Sequence, residues 1–284
     1  MVREDRGGAL FLLGTPIGNL EDLSYRAVRI LEEADVIACE DTRETLKLLH
    51  HLNLRKKLVR YEKHTEEEKK EELLDLVEAG LKVVLVSDAG MPGISDPGEI
   101  LVREAYRRGL APVVIPGPSA AVAGLVVSGL PARRFFFQGF LPKGREKERR
   151  EVLEEVKDIP ATLIFYITPH GAEKDLALLR EVLGNREAAI ARELTKFYEE
   201  VRRGTLEELL EGAGEKPLKG EMVLLVEGGR RERTEPSMES QAEAYRRLLG
   251  EGMSSRDALR AIAQEWKVSK NRLYEYIMGN KEKE

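Results

Sequence analysis

Residues 10–39 read LFLLGTPIGNLEDLSYRAVRILEEADVIAC. An apolar run too short for a helix, Leu10 to Leu13, turns through GTPIGN, Gly14 to Asn19. From Leu23 to Ala34 the apolar positions, Val28 and Leu31 among them, fall at helical spacing, and a second apolar run, Val36 to Cys39, follows at once. Strand, glycine-proline loop, helix and strand in that order make a βαβ unit, which predicts a mainly parallel sheet because parallel neighbours need a helical crossover. The alternation continues with strands at Leu58 to Tyr61, Lys82 to Ser87 and Ala111 to Ile115, and a helix from Thr65 to Ala79 that stops at Gly80. The first α/β domain is expected over 1–117.

A second set of elements begins at Phe135. Its strands are expected at Ala161 to Ile167, Ala188 to Leu194, Tyr198 to Arg203 and Glu221 to Glu227, with helices at Glu146 to Val156 and Lys174 to Leu183. That predicts a second α/β domain over 118–232. The polar segment Gly228 to Ser237, with Pro236, reads as a linker. From Gln241 to Met278 the period is helical, with Leu259, Ile262, Ala263 and Trp266 on one face. Ser254 and Asp257 have capping-box spacing, and a break at Lys267 and Val268 precedes Ser269, a candidate N-cap. Two helices joined by a tight turn suggest a small helix-turn-helix domain over 238–284.

The composition narrows the class. Hydrophobic residues make up 42% and charged residues 34% of 284, enough apolar material for two cored units. No run approaches the roughly 20 apolar residues of a membrane span, and MVREDRGG lacks the apolar stretch of a signal peptide, so a cytoplasmic protein without membrane contact is expected. One cysteine, Cys39, excludes an internal disulfide framework, and His50, His51, His64 and His170 show no ligand spacing, so no metal is expected. The net charge of −5 argues against a generic nucleic-acid binder. The segment 132–150 departs from it: Arg133, Arg134, Lys143, Arg145, Lys147, Arg149 and Arg150 stand against Glu146 and Glu148, interleaved with Phe135, Phe136, Phe137 and Phe140.

Three glycine- and proline-rich loops each follow a predicted strand: GTPIGN at 14–19, SDAGMPGISDPG at 87–98 and PGPSA at 116–120. Strand-end loops of this kind cradle ligands in open α/β sheets, because glycine admits close backbone approach and proline stiffens the loop. Each alone also fits an ordinary tight turn. Neither G-x-G-x-x-G after the first strand nor G-x-x-x-x-G-K-[ST] occurs, which disfavours dinucleotide and P-loop enzymes.

The opening LFLLGTPIGNLEDLSYRAVRILEEAD, then ACEDTR, VSDAGMPGISDPG and VIPGPSA, resemble the tetrapyrrole methylase superfamily over about Leu10 to Gly228. ACEDTR together with the SDAG loop is similar to the branch that methylates a cytidine ribose of small-subunit ribosomal RNA. The resemblance implies two α/β domains with S-adenosylmethionine in the cleft between them, and a homodimer. On matching positions it implies cofactor contacts from Pro16, from Asp88, Ala89, Gly90 and Ile94, from Ser119 and Ala120, and from Tyr166, Ile167, Ala191, Arg192, Glu193, Gly220 and Glu221. Asp88 and Met91 stand where the corrin enzymes carry Gly and Pro, which weakens the corrin reading. Asp88 alternatively reads as a loop carboxylate capping the next turn.

Methylating a ribose hydroxyl calls for positioning and for a proton acceptor. Glu40, Asp41 and Arg43 are the first candidates for a base or polarising group, followed by Lys196, Glu199 and Glu200; each also reads as a surface ion pair. Arg133, Arg134, Lys143, Arg145 and Lys147, with Lys270 and Arg272 in the tail, are expected to face RNA, with the assembled 30S subunit as the expected partner, while the Phe run reads first as a core strand. Two rival functions remain: a tetrapyrrole or corrin C-methyltransferase, and a metabolite-sensing nucleic-acid-binding regulator. The tail carries nine Lys or Arg against seven Asp or Glu from Gln241 to Glu284, weak for DNA readout.

Overall fold

The computed structural model describes residues 8–215, 218–229, 237–266 and 269–281, and the chain divides into two compact units after Gly229. The first unit holds both sheets. Strands β1 (Ala9–Leu13), β2 (Val36–Cys39), β3 (Lys57–Arg60), β4 (Lys82–Val86) and β5 (Val113–Ile115) form an all-parallel sheet in the order β3-β2-β4-β1-β5. Helices cover both faces. On one, α1 (Tyr25–Glu33) and α2 (Thr42–His51) pack Ile30, Leu31 and Leu49 on Phe11, Leu13, Ile37 and Val84. On the other, α3 (Glu66–Glu78) and α4 (Glu99–Arg107) pack Leu73, Leu74 and Leu101 on Leu10, Ala38, Val83 and Leu85. Alternate residues of one strand thus feed opposite cores, as strands buried on both faces require.

The connection leaving β1 goes to the α1 face and the one leaving β4 goes to the α4 face, although β1 and β4 are neighbours. Their carboxyl ends therefore diverge, opening the crevice where ligands bind in open α/β sheets.

The second sheet is mixed. Strands β6 (Phe135–Phe140), β7 (Thr162–Ile167), β8 (Glu187–Arg192), β9 (Glu200–Thr205) and β10 (Met222–Val226) take the order β6-β7-β10-β8-β9, with only β6 and β7 parallel. Helices α6 (Glu146–Val156), α7 (Ala172–Leu183) and α8 (Leu206–Glu215) cover one face. Helix α5 (Ala120–Ser128) covers the other through Ala121 and Leu125 against Ile164, Ala189 and Val223. A Cβ at Gly124 would stand 3.4 Å from Val223, so the small residue sets how closely α5 lies on β10.

The Phe run forms a strand, but not a core strand. β6 lies at the sheet edge with a bulge between Phe137 and Gly139, leaving Phe135 and Phe140 about half exposed at 49% and 50%. The strand expected to run on to Leu194 ends at Arg192, because Glu193 turns to φ 49°. Helices α2, α4, α5 and α8 go beyond what the sequence pattern indicates.

Among the described residues the second unit has three helices, α9 (Met238–Gly250), α10 (Ser255–Glu265) and α11 (Lys270–Lys281), where the periodicity suggests two. Tyr245, Leu259, Ile262 and Leu273 form its core with Trp266 packed beside them. Ser254 caps α10 by accepting from the Asp257 amide at 3.2 Å, as the capping box predicts. Most of the expected linker, residues 230–236, and the break at Lys267 and Val268 lie outside the described residues.

Candidate functional site

The three glycine-proline loops meet at the crevice. Gly14 and Gly117 let two of them touch: a Cβ on Gly117 would lie 2.6 Å from the Gly14 carbonyl oxygen, and one on Gly14 would lie 2.8 Å from the Gly117 Cα. The first and second loops are tied by a two-way backbone bridge, the Thr15 amide donating to Gly90 O at 2.8 Å and the Gly90 amide to Thr15 O at 3.1 Å. The buried Thr15 hydroxyl donates to Ser87 O at 3.1 Å, and the Ser87 hydroxyl donates to Gly90 O at 3.0 Å. These loops are thus held by backbone geometry that larger side chains would break.

Facing them is a cavity of about 610 Å³, within the range of small-molecule sites. Sheet-one loops supply Ile17, Glu40, residues 88–91 and 94–96, and the start of α5 supplies Ser119 and Ala120. The second sheet supplies Phe140, the end of β7 with Tyr166 and Ile167, the end of β8 with Ala191, and the opening of β10 with Gly220 and Glu221. Of the expected cofactor contacts, Asp88, Ala89, Gly90, Ile94, Ser119, Ala120, Tyr166, Ile167, Ala191, Glu193, Gly220 and Glu221 line this cavity. Pro16 is not in its wall; its neighbour Ile17 is. Arg192 points to structure instead, donating to Glu200 at 2.5 Å and to Lys219 O at 3.1 Å.

The candidate proton-handling groups separate. Glu40 and Lys196 line the cavity, whereas Asp41, Arg43 and Glu199 do not. Asp41 caps α2 by accepting from the Arg43 amide at 2.8 Å and pairs with the Arg43 side chain at 2.6 Å. Those contacts hold its carboxyl down to about 2. Glu199 accepts from the Thr195 amide at 2.6 Å, closing its own loop. Glu200, bonded to Arg192 and Arg202, is likewise held down to about 2. Lys196 is clasped by Glu221 at 2.9 Å and Glu193 at 3.2 Å, which outweighs the opposing effect of burial and raises its ammonium.

Asp88 accepts from the Asp41 amide at 3.0 Å, a partner on the loop after β2 rather than in its own next turn, and the residue also stands in the cavity wall. Burial raises its carboxyl against that hydrogen bond. Glu40 is raised by burial and by the charge of Asp88. Sequence reasoning does not single out Asp96. Its carboxyl lines the same cavity and is pushed up to about 7, first by burial and then by the charges of Glu40 and Asp88. Ile17, Met91, Ser95, Phe140, Thr168 and Leu194 also join the wall unexpected, although several sit inside motifs the sequence displays.

Arg133, Arg134, Lys143, Arg145 and Lys147 are exposed. Lys147 reaches Glu151 at 3.8 Å, and the other four have no ion pair among the described residues. Arg149 and Arg150 belong to the scaffold, paired with Asp175 and with Glu181 respectively. Lys270 and Arg272 are exposed on α11. Beside the cavity, the loop carrying Lys196 also presents Phe197, 93% exposed, against Tyr198 with ring centroids 5.0 Å apart at 90°.

Two sheets with a loop-lined cavity between their strand ends make a fold shared with solved structures. Diphthine synthase superposes with a TM-score of 0.62 at 21% identity, covering 78% of this chain and 89% of that one. Uroporphyrin-III-C-methyltransferase from Thermus thermophilus gives 0.54 at 24% identity, covering 77% and 94%. Residues 9–210 match the family model Tetrapyrrole (Corrin/Porphyrin) Methylases, and the chain belongs to this family of S-adenosylmethionine-dependent methyltransferases. Among curated relatives, "Ribosomal RNA small subunit methyltransferase I" of Halalkalibacterium halodurans is 47% identical over 277 residues, covering 96% of this chain and 95% of the relative. The protein of the same name from Thermotoga maritima is 41% identical over 221 residues, covering 78% and 99%.

Proposed function

We infer that this chain is an S-adenosylmethionine-dependent enzyme that methylates the ribose 2′-oxygen of a cytidine in small-subunit ribosomal RNA. The observation that carries the reading is the loop-lined cavity in a chain 47% identical over nearly its whole length to a relative named for that RNA.

The cavity suits the cofactor chemically. Ile17, Ile94, Ala120, Ile167 and Val223 offer an apolar wall for an adenine ring, and the backbone at 88–89 and 119–120 offers hydrogen-bonding partners. The α5 N-terminus at the wall favours a carboxylate, while Glu40 and Asp88 favour the cationic end. When bound, S-adenosylmethionine supplies a methyl group on a sulfonium sulfur. The loops contribute positioning, since a rigid loop set that holds two reactants in line is worth roughly 7 to 11 kcal/mol of barrier.

Exposed cations at 133–147 with the half-exposed rings of β6, and the Phe197 and Tyr198 pair beside the cavity, give phosphate contacts and stacking surfaces for unpaired bases. The substrate is taken to be the assembled 30S subunit. A homodimer is part of the reading: Val122, Val126 and Val127 leave an apolar face of α5 exposed, which a second copy would cover. Among the described residues no helix is long and apolar enough to cross a membrane, in keeping with action in the cytoplasm.

Purified protein, methyl-labelled cofactor and 30S subunits or naked small-subunit RNA test this directly. Label should enter the RNA and block alkaline cleavage at the 3′ side of one cytidine. Transfer to a base, or to uroporphyrinogen in place of RNA, would overturn the assignment.

A further inference from the structure

Five carboxylates line the cavity: Glu40, Asp88, Asp96, Glu193 and Glu221. Three are committed to the scaffold. Asp88 accepts the Asp41 amide at 3.0 Å, Glu193 accepts the Glu221 amide at 3.0 Å and the Lys196 ammonium at 3.2 Å, and Glu221 pairs with Lys196 at 2.9 Å. Glu40 and Asp96 have no hydrogen bond or ion pair among the described residues, so their oxygens are open to a ligand.

Asp96 is the better placed of the two. The Gly93 amide donates to Pro97 O at 3.1 Å, closing 93–97 into a tight loop, and Ser95 at its tip is forced to φ 66°, a left-handed conformation that costs a non-glycine residue of order 1 kcal/mol or more. The loop is pinned below by the buried Glu66 carboxylate, which accepts the Gly98 amide at 2.8 Å. Above, Ser95 meets the β6 bulge, where a Cβ on Gly139 would lie 3.0 Å from its hydroxyl oxygen. Strain held in place from two sides to present one short, unpaired carboxylate is the geometry of a group positioned for chemistry. Glu40 has an extra rotatable bond and no comparable clamp.

Resting on the proposed function above, we propose that Asp96 is the general base that accepts the proton of the substrate's ribose hydroxyl. The O–H bond breaks with its proton passing to an Asp96 oxygen, the hydroxyl oxygen's electron pair forms the new O–CH₃ bond, and the methyl donor's S–CH₃ bond breaks with its pair left on sulfur as a neutral thioether. The proton then leaves to solvent. Groups around Asp96 fit the role. Glu40 after β2 and Asp88 on its own loop bear like charges that favour proton uptake, and Tyr166 on β7 titrates far above neutrality. The charges of Glu193, Lys196 and Glu221 are closed on one another.

The test uses full-length protein with 30S subunits and saturating cofactor. Asp96→Asn should lower the single-turnover rate by about 10²- to 10⁴-fold, with cofactor affinity by calorimetry and RNA affinity by filter binding within about two-fold of wild type. The wild-type rate should rise with pH along one acidic limb. A ¹³C-carboxyl NMR titration, which needs no turnover, should place Asp96 near neutrality and show its midpoint fall in Glu40→Gln. An Asp96→Asn enzyme retaining more than a tenth of the rate, or an Asp96 midpoint near 4 that ignores Glu40, overturns the proposal. So does loss of the rate in Glu40→Gln with Asp96→Asn unimpaired. Wild-type protein that transfers no methyl to RNA would instead sink the functional reading itself.

Discussion

Placing an unpaired carboxylate in a cavity has a thermodynamic signature independent of catalysis. Asp96 moves from an ordinary 3.8 to about 7 on folding, chiefly through burial. The folded state therefore binds the proton more tightly than the unfolded chain, and stability is full below pH 4 and is lost as pH rises through 7. Removing the charge by Asp96→Asn should reverse that loss. At 1.36 kcal/mol per pH unit the ceiling is about 4 kcal/mol above pH 7, and partial solvent access to the side chain reduces the expectation to about 2 kcal/mol. At pH 5 the same arithmetic leaves less than half of the effect. Urea unfolding of wild type and variant at pH 5 and pH 8, with m-values checked for equality, measures the difference. The variant should be the more stable protein at pH 8, with less than half of that advantage at pH 5, gaining stability as it loses activity. A difference that does not change with pH, or a variant less stable at pH 8, would refute the claim that this carboxylate is desolvated.

Other perturbations follow from the same geometry. Ala120→Phe fills the apolar wall and should weaken cofactor binding at least ten-fold by calorimetry, with the unfolding midpoint little changed. Gly117→Ala forces a Cβ to 2.6 Å from the Gly14 carbonyl and should cost about 1–3 kcal/mol, whereas Gly212→Ala, inside α8 with nothing within 4 Å, should stabilise by about 0.5–1 kcal/mol; chemical denaturation checks both. Reversing the charges of Lys143, Arg145 and Lys147 should flatten the salt dependence of RNA binding by about 0.7 to 0.9 for each phosphate no longer neutralised, read by filter binding across a salt series. Truncation after Arg233 leaves the cavity's own unit whole, so cofactor affinity should persist while activity on 30S subunits falls. A shift from dimer to monomer in sedimentation with RNA affinity intact would assign the tail to assembly instead.

The inner strands of the first sheet, β1, β2 and β4, are legible in the sequence because they are buried on both faces and read as apolar runs: Val36–Cys39 matches to the residue and Lys82–Val86 to within one. Helix α5 is not, because AAVAGLVVS is apolar on every side and carries no helical period, half of it packing on β10 and the rest left exposed. The Phe run misleads for the opposite reason, since three rings in a row resemble a core strand unless edge position is known. At the site, the three glycine-proline loops announce the crevice, but side-chain direction does not follow from them. Asp41 and Glu40 are adjacent, yet one caps a helix and the other faces the cavity. Asp96 lies in the same glycine-rich loop as Asp88, and what distinguishes the two is a single hydrogen bond from a residue 47 positions away from Asp88.

That this chain places one methyl group on a ribose oxygen of small-subunit ribosomal RNA is tested most directly by mass mapping of that RNA from cells with and without the protein. One cytidine-containing fragment should be lighter by a single methyl group without the protein and become cleavable by alkali at that nucleotide, with both features restored by the wild-type gene. An unchanged methyl map, or a lost methyl that had resided on a base, would contradict it.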